Sequence, residues 1–446
     1  MKREFWGIVF AVAVAAAGCS GGGGSSVPNV PNAPASSPTP SGQKIQHIVI
    51  MIQENRSFDN LFATYPGADG ATYGILHDGK KFKLVKAPLP GEELNHVHRG
   101  FLIEYDGGKM DGFNKIHFGS GGAGLPAGTY PLRYVDPSQI APYWTMAKNY
   151  SLADHMFQTQ GSGSFTAHQE LIAAGTAIGP SKSVIDFPSQ GPWGCDAPPQ
   201  TVTSYITPTG YFRGQGPFPC LTYKTLADLL DPRHISWKYY TPAMVSGSSG
   251  FLWNAPDAIH DIRYGPDWAV DDVSPETTVF KDISANKLPA VCWVIPSATN
   301  SDHAENIDNG PSWVASVVNA IGRSSAWQST VIIVVWDDWG GYYDNAVPPQ
   351  LDYQGLGFRV PMLVISPYAK SVGYVSHTQY EFGSIVKFVE QNWSLGNLGA
   401  TDVRATSIAD MFDFSKPPRA FAPIPAALRQ SFFEHEAPSS EPVDDK

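Results

Sequence analysis

Apolar runs that stop abruptly at polar clusters restrict most strongly how this chain can fold. Four runs have this character: residues 47–52, 290–296, 331–336 and 360–366. Such a run is typical of a strand that is buried on both faces, because neither side of the strand meets water. Polar residues 53–57 and 337–338 directly follow two of the runs. We therefore expect buried strands that deliver polar side chains to one edge of a sheet.

Helical patterns lie between the predicted strands, at residues 225–230, 313–321 and 383–391. Strands and helices that alternate in this way indicate an α/β fold with a largely parallel central sheet, covered by helices on both faces. In such sheets, ligands bind beyond the carboxyl ends of the strands. Both acidic clusters fall at such ends, so the sequence predicts a site there.

The first 43 residues have the composition of an export signal followed by a tether. Lys2 and Arg3 precede an apolar run over residues 5–17, which is shorter than the roughly 20 apolar residues of a membrane span. Small residues before Cys19 resemble the lipobox of bacterial lipoproteins, and a plain signal peptide is the alternative. We predict a signal peptide at 1–18 and a lipidated Cys19.

The rest of the chain divides by composition into a tether, one folded domain and a tail. Residues 19–43 are rich in Gly, Ser and Pro, and they predict a flexible linker. Residues 44–430 predict one catalytic domain, and residues 431–446 a polar tail. The expected location is outside the cytoplasm, as a membrane-anchored lipoprotein that faces the periplasm or the cell surface.

Charge and cysteine content exclude some partners and suggest one cross-link. The chain has 30 basic and 41 acidic residues, a net charge of −11, and no basic cluster, which argues against a nucleic-acid partner. Cys195 and Cys220 flank a loop-rich segment and are candidates for a disulfide in an exported protein. Cys292 lies in an apolar run and predicts a buried thiol.

The two acidic clusters have the chemistry of a metal site. Glu54 and Asn55 follow one predicted strand, and Asp337 and Asp338 follow another. Three carboxylates and a carboxamide suit a divalent cation, and the carboxylates would repel one another without it. The alternative is that Asn55 or Asp337 caps a helix or turn. The glycine pair 340–341 favours the metal, since it permits close backbone approach to a ligand.

A serine and three histidines are the other candidate catalytic residues. Ser164 precedes a helical pattern at residues 169–174, where free backbone N–H groups favour an alkoxide or a phosphate. As an alternative, Ser164 is an ordinary helix cap. His96, His98 and His303 could stabilise phosphoryl oxygens or protonate a leaving group, although loop histidines are often only solvated.

The order of these motifs resembles the bacterial phosphoesterase family that contains phospholipases C and single-metal acid phosphatases. The matching pieces together span roughly residues 45 to 395. They are 48–62, His96 with 107–113, 164–168, 301–303, 336–344, 359–361 and 366–368. The resemblance implies an alkaline-phosphatase-like α/β core and a serine nucleophile, Ser164. It further implies one divalent metal ion, held by Glu54, Asn55, Asp337, Asp338 and Ser164.

The same resemblance implies roles for the residues around the serine. His96 and His303 would contact the phosphoryl oxygens or protonate the leaving group, with Asp302 assisting. The chain departs from the family pattern at Asn345, where histidine is usual, and at residues 166–167, where many relatives have Pro-Asn.

The expected activity is metal-dependent hydrolysis of phosphate esters. We expect an acid-phosphatase-like phosphomonoesterase. The alternative is a phospholipase C that cleaves phospholipid phosphodiesters, and a second alternative is a surface lipoprotein that binds a ligand without turnover. The expected partners are a phosphate-ester substrate, either a small molecule or a phospholipid, and a membrane reached through the lipidated Cys19.

Overall fold

A computed structural model describes residues 44–245, 248–304 and 309–439. The predicted signal peptide, the lipidated Cys19 and the linker up to residue 43 lie outside the described residues, as do positions 440–446 of the predicted tail. The strands are β1 (His47–Gln53), β2 (Tyr73–Ile75), β3 (Lys81–Lys83), β4 (Val85–Ala87), β5 (Arg133–Val135), β6 (Ser151–Ala153), β7 (Met156–Phe157), β8 (Ala177–Gly179), β9 (Lys182–Ile185), β10 (Ser204–Thr207), β11 (Gly210–Phe212), β12 (Trp237–Tyr240), β13 (Asp272–Val273), β14 (Val291–Val294), β15 (Thr330–Trp336), β16 (Met362–Ile365), β17 (Tyr374–Ser376) and β18 (Tyr380–Glu381).

Helices alternate with these strands along most of the described chain. They are α1 (Phe58–Phe62), α2 (His98–Tyr105), α3 (Ala141–Asn149), α4 (Ser164–Ala173), α5 (Leu226–Leu230), α6 (His260–Arg263), α7 (Trp268–Asp271), α8 (Thr278–Ser284), α9 (Gly310–Arg323), α10 (Phe382–Trp393) and α11 (Gln430–Phe433). Among the described residues, no helix is long and apolar enough to cross a bilayer.

Eight strands form the central sheet, in the spatial order β13-β12-β14-β1-β15-β16-β6-β17. Strand β1 pairs in parallel with both β14 and β15. Strand β16 runs antiparallel to both of its neighbours, β15 and β6. The sheet is therefore mostly parallel, as predicted, and the fold is α/β.

The central strands are covered on both faces. Successive strand residues point to opposite faces, yet every residue of β14, β15 and β16 is buried. One group of packed helices comprises α3, α8, α9 and α11, and α4 packs against α10. The apolar runs of the sequence thus form a core shielded by helices, which confirms the predicted layers.

The predicted elements and cysteines agree closely with the structure. The four apolar runs form β1, β14, β15 and β16. The helical patterns at 313–321 and 383–391 lie within α9 and α10, and the pattern at 225–230 forms α5 together with its N-cap, Thr225. Cys195 and Cys220 form the predicted disulfide, and Cys292 is a buried free thiol. The predicted start of the tail falls inside α11, whose Phe433 packs edge-on against Trp313.

A buried ion cluster holds three of the family motifs together. The Arg359 guanidinium donates to both carboxylate oxygens of Asp344, at 2.7 and 3.2 Å, and lies 3.8 Å from Asp59. The same guanidinium donates to the side-chain oxygen of Asn345 at 2.6 Å. Asn345, the position at which the resemblance led us to expect histidine, therefore belongs to this structural cluster.

Candidate active site

Two neighbouring strands place four polar side chains side by side. Glu54 and Asn55 follow β1, and Asp337 and Asp338 follow β15, whose last residue is in register with the last residue of β1. All four side chains are buried. Parallel strands end at the same edge of a sheet, so the two clusters meet there, as the sequence predicts.

Glu54, Asn55, Asp337 and Asp338 together form what we call the acidic junction. Backbone geometry fixes their relative positions. Asn55 adopts a left-handed conformation (φ 61°), which asparagine tolerates better than most residues. Its N–H donates to Oδ1 of Asp337 at 3.0 Å, and the N–H of Asp338 donates to the same oxygen at 2.7 Å. At Gly340 (φ 61°), a Cβ would collide with the carbonyl oxygen of Asn55. The close approach that Gly340 permits is therefore to the backbone of Asn55.

Ser164 reaches the junction from the first turn of α4. Gly163 is the N-cap of this helix, so the interpretation of Ser164 as a cap is wrong. The Ser164 hydroxyl donates to Oδ2 of Asp338 at 3.4 Å, and Oδ1 of Asp338 accepts the Gly340 N–H at 2.6 Å. A Cβ at position 163 would collide with the ring of Phe187, so the cap must be glycine.

His168 is a site residue that the sequence analysis did not select. It lies one helical turn after Ser164, on the same face of α4. Its Nε2 is 3.1 Å from Oε1 of Glu54 and 3.7 Å from Oδ2 of Asp337, and its Nδ1 is 3.3 Å from the hydroxyl of Tyr239. The spacing from Ser164 was the available signal, but a single histidine in an apolar helix is usually a core residue.

The three carboxyl groups of the junction are buried close together. Burial raises the pKa of Asp337 well above its ordinary value, and the neighbouring Glu54 raises it further. The side-chain oxygen of Asn55 is buried and accepts no hydrogen bond from the described residues. Several oxygen donors turned toward one another, with one of them unsatisfied, are what a divalent cation requires. Glu54, His168 and Asp337 also lie close enough together to share an ion.

His96 lies beside the acidic junction. Its Nε2 is 3.5 Å from the side-chain nitrogen of Asn55, and its Nδ1 is 2.7 Å from the carbonyl oxygen of Leu94. His98 instead turns to the carbonyl oxygen of Gly161, at 2.9 Å, and burial lowers its pKa. Of these two candidates, His96 is therefore the one that the structure places at the junction.

His303 and Asp302 lie on the loop after β14. His303 Nε2 is 3.3 Å from Oε1 of Glu93, and its ring lies 5.9 Å from that of Trp253, which stacks on the ring of His168 at 6.3 Å. Trp253 thus contacts both His303 and His168, and His303 itself pairs with Glu93.

The Asp302 carboxylate has a different environment. Its Oδ2 accepts from the Tyr143 hydroxyl at 2.8 Å and from the Trp336 indole at 3.0 Å. These contacts anchor the loop that carries His303. A role for Asp302 in assisting that histidine stays a prediction.

The chain matches the model of the phosphoesterase family over residues 45–396. It is similar to phospholipase C A of Mycobacterium tuberculosis, with 26% identity over 85% of this chain and 79% of that protein. It is also similar to a non-hemolytic phospholipase C of Pseudomonas aeruginosa, with 24% identity over 84% of this chain and 58% of that protein.

A solved structure also overlaps with the chain. It is a protein in the alkaline phosphatase superfamily from Vibrio parahaemolyticus, with 12% identity and a TM-score of 0.37, over 84% of this chain and 74% of that one.

Proposed function

The chain belongs to the phosphoesterase family, and on that premise we propose that it is a phospholipase C that cleaves phospholipid phosphodiesters with Ser164 as nucleophile. That it is a phosphoric ester hydrolase follows from the family and from its phospholipase C relatives. The same relatives favour a diester substrate over the phosphomonoester that the sequence analysis preferred.

The main support for the proposed mechanism is the hydrogen bond from the Ser164 hydroxyl to Asp338, at 3.4 Å. It aims the hydroxyl at a buried carboxylate that can take its proton. The N-terminal position in α4 adds a positive partial charge, which favours an alkoxide and a phosphoryl group. Glu54, Asn55, Asp337, Asp338 and Ser164 would hold one divalent cation, which supplies positive charge for the nucleophile and the phosphoryl oxygens when bound.

The proposed reaction has two steps. The Ser164 oxygen forms a bond to phosphorus while its proton passes to Asp338, and the bond from phosphorus to the diacylglycerol oxygen breaks. That oxygen keeps the electron pair and takes a proton from Nε2 of His96. Water then attacks phosphorus and gives its proton to His96, and the Ser164 oxygen departs and recovers its proton from Asp338.

His96 suits the role of acid because its ring is fixed. The contact between its Nδ1 and the carbonyl oxygen of Leu94 requires a proton on Nδ1, so any proton gained or lost is carried by Nε2. We propose that His303 stabilises the phosphoryl oxygens, as the family resemblance implies.

The substrate class is tested by comparing initial rates on dihexanoyl phospholipids and on p-nitrophenyl phosphate. We expect kcat/KM for the best phospholipid to exceed that for the monoester by at least about tenfold. A reversed order would establish the phosphomonoesterase instead. Metal-loaded protein that turns over none of these esters would favour the ligand-binding lipoprotein.

We also propose that export and lipidation of Cys19 hold the enzyme at a membrane, where a phospholipid substrate is present. Cys19 and the apolar run before it support this proposal. Labelling of cells with a fatty acid tests it, since the wild type should take up label and a Cys19→Ala variant should not. Equal labelling of the two proteins would rule out the anchor.

A further inference from the structure

A cavity of about 390 Å³ is lined in part by Phe187, whose ring packs against Gly163, the residue before the proposed nucleophile. Its lining includes two guanidinium groups, one carboxylate and three aromatic rings, from Arg99, Arg213, Asp186, Phe187, Trp193 and Tyr211. The chemistry of this lining decides which head group the cavity can hold.

Phe187 both lines the cavity and contacts residues of the candidate active site. Its ring meets the ring of His96 edge-on, with centroids 5.7 Å apart. The same ring packs against Gly163, the residue before Ser164. Phe187 thus borders both the cavity and the proposed reacting centre, so a group in the cavity can belong to the same substrate molecule.

Ring contacts within the aromatic lining reduce the surface that it offers to a quaternary ammonium group. Phe187 and Trp193 stack on each other, with centroids 4.9 Å apart and ring planes 13° apart. The Tyr211 ring lies against His98 at 5.3 Å. A cation binds over a free ring face, and the stacking covers one face of both Phe187 and Trp193, which leaves less ring surface for a choline group.

The Asp186 carboxylate is already engaged. Its Oδ1 accepts from the His98 N–H at 2.6 Å and from the Ser162 hydroxyl at 3.4 Å, and its Oδ2 accepts from the Tyr211 hydroxyl at 2.7 Å. Asp186 is also buried, at 4% exposure. Its charge therefore stabilises the start of α2 and the adjoining loop, and little of it is available to a ligand.

The two arginines, unlike Asp186, are exposed at the cavity. Arg99 lies in the first turn of α2, and Arg213 lies just after β11. Neither forms an ion pair with a carboxylate in the part of the chain that the structure describes. Guanidinium groups bind phosphate and carboxylate through two parallel hydrogen bonds, so the open positions favour an anion.

We propose that this cavity selects phospholipids whose head group carries a second anionic group, a phosphate or a carboxylate, and that Arg99 and Arg213 bind that group. The inference rests on the proposed function, since it assigns the substrate class of the same site. Free inorganic phosphate offers the same chemistry, and the test separates the two sources.

The kinetic test compares dihexanoyl phosphatidylinositol with its 4-phosphate, which differ only in the second anionic group. We expect kcat/KM to be at least about tenfold higher for the 4-phosphate, and the Arg99→Gln/Arg213→Gln double variant to bring the ratio close to one. The Arg323→Gln variant is the matched control, because Arg323 is exposed on α9 and does not line the cavity. Equal rates for the two lipids, or a ratio that the double variant keeps, would overturn the proposal.

A binding test does not depend on turnover. Calorimetric titration of the full chain with inositol 1,4-bisphosphate should show tighter binding than with inositol 1-phosphate, and the double variant should lose the difference. Absence of hydrolysis with this binding difference would defeat the phospholipase C proposal and leave the cavity assignment standing. Inorganic phosphate that binds as tightly as the bisphosphate, with the same loss in the double variant, would overturn selection by the head group.

Discussion

The hydroxyl of Ser164 lies 3.4 Å from Oδ2 of Asp338, although 174 positions separate the two residues in the chain. Strand β15 ends beside β1 and delivers Asp338, while the first turn of α4 delivers Ser164. The contact therefore depends on the fold as a whole, and it links the proposed nucleophile to the proposed metal ligands.

We predict that Glu54→Gln and Asp337→Asn each lose bound metal and activity together. Both side chains are buried at the junction, and each substitution removes one negative charge with little change in volume. A Ser164→Ala/Asp337→Asn double variant should be no less active than the more damaged single variant, because groups that act in one step are not additive. Elemental analysis and kinetics on the same samples measure both effects.

The control for these variants is Glu434→Gln, because Glu434 is exposed on the last turn of the described chain. It should retain metal and activity at the wild-type level. A Glu54→Gln or Asp337→Asn enzyme with wild-type metal content would remove these residues from the ligand set.

We predict that His168→Gln lowers metal affinity or kcat/KM by about 10- to 100-fold, the usual cost of losing a side chain that orients metal ligands. His168 contacts Glu54 and Asp337, so its loss should loosen both acids. A titration of the apo protein with metal gives the affinity directly. His47→Gln, at the start of β1, is the control. Unchanged metal affinity and kcat/KM in His168→Gln would show that His168 has only a structural role.

The sequence was informative about the fold wherever burial decides structure. The apolar runs identified β1, β14, β15 and β16, because a strand covered on both faces tolerates few polar residues. The reversed direction of β16 was not predictable, since a run of apolar residues has the same pattern in either direction.

The site was predictable where polar residues follow a buried strand, as with Glu54 and Asp337. His168 was not selected, since its role comes from contacts with two distant loops rather than from its own neighbours. The position of Asn345 in the Arg359 cluster and the two arginines at the cavity likewise depend on long loops, whose shape hydrophobic patterns do not determine.

We predict that a Cys195→Ser/Cys220→Ser double variant is less stable by about 3 kcal/mol, from the entropy of closing a loop of this length. The two cysteines are 25 positions apart. Urea unfolding without reductant measures the difference in the free energy of unfolding. Reductant should lower the free energy of unfolding of the wild type to a similar degree and leave that of the double variant unchanged. A wild type whose free energy of unfolding does not change with reductant would contradict this prediction.

We predict that Glu276 makes stability depend on pH. Burial, and to a smaller degree the charge of Glu436, raises the pKa of Glu276 from 4.5 to about 7. The folded state thus binds this proton more tightly than the unfolded state, so the contribution is fully present below pH 4.5 and is lost as the pH rises through about 7.

The Glu276→Gln variant isolates that contribution, because glutamine keeps the shape of the side chain and does not titrate. The melting temperature of the variant should exceed that of the wild type more at about pH 8 than at about pH 5. The same difference at both pH values would mean that Glu276 does not titrate in this range.

The serine mechanism requires that Ser164 becomes covalently bonded to phosphorus during turnover, and this bond can be detected directly. The enzyme is mixed with bis(p-nitrophenyl) phosphate, quenched in acid within the first turnover and digested for mass spectrometry. We predict that the peptide containing Ser164 gains the mass of a p-nitrophenyl phosphoryl group, and that Ser164→Ala loses several orders of magnitude in kcat. A Ser164→Ala enzyme that keeps wild-type kcat, with no adduct on the wild-type peptide, would contradict the serine mechanism.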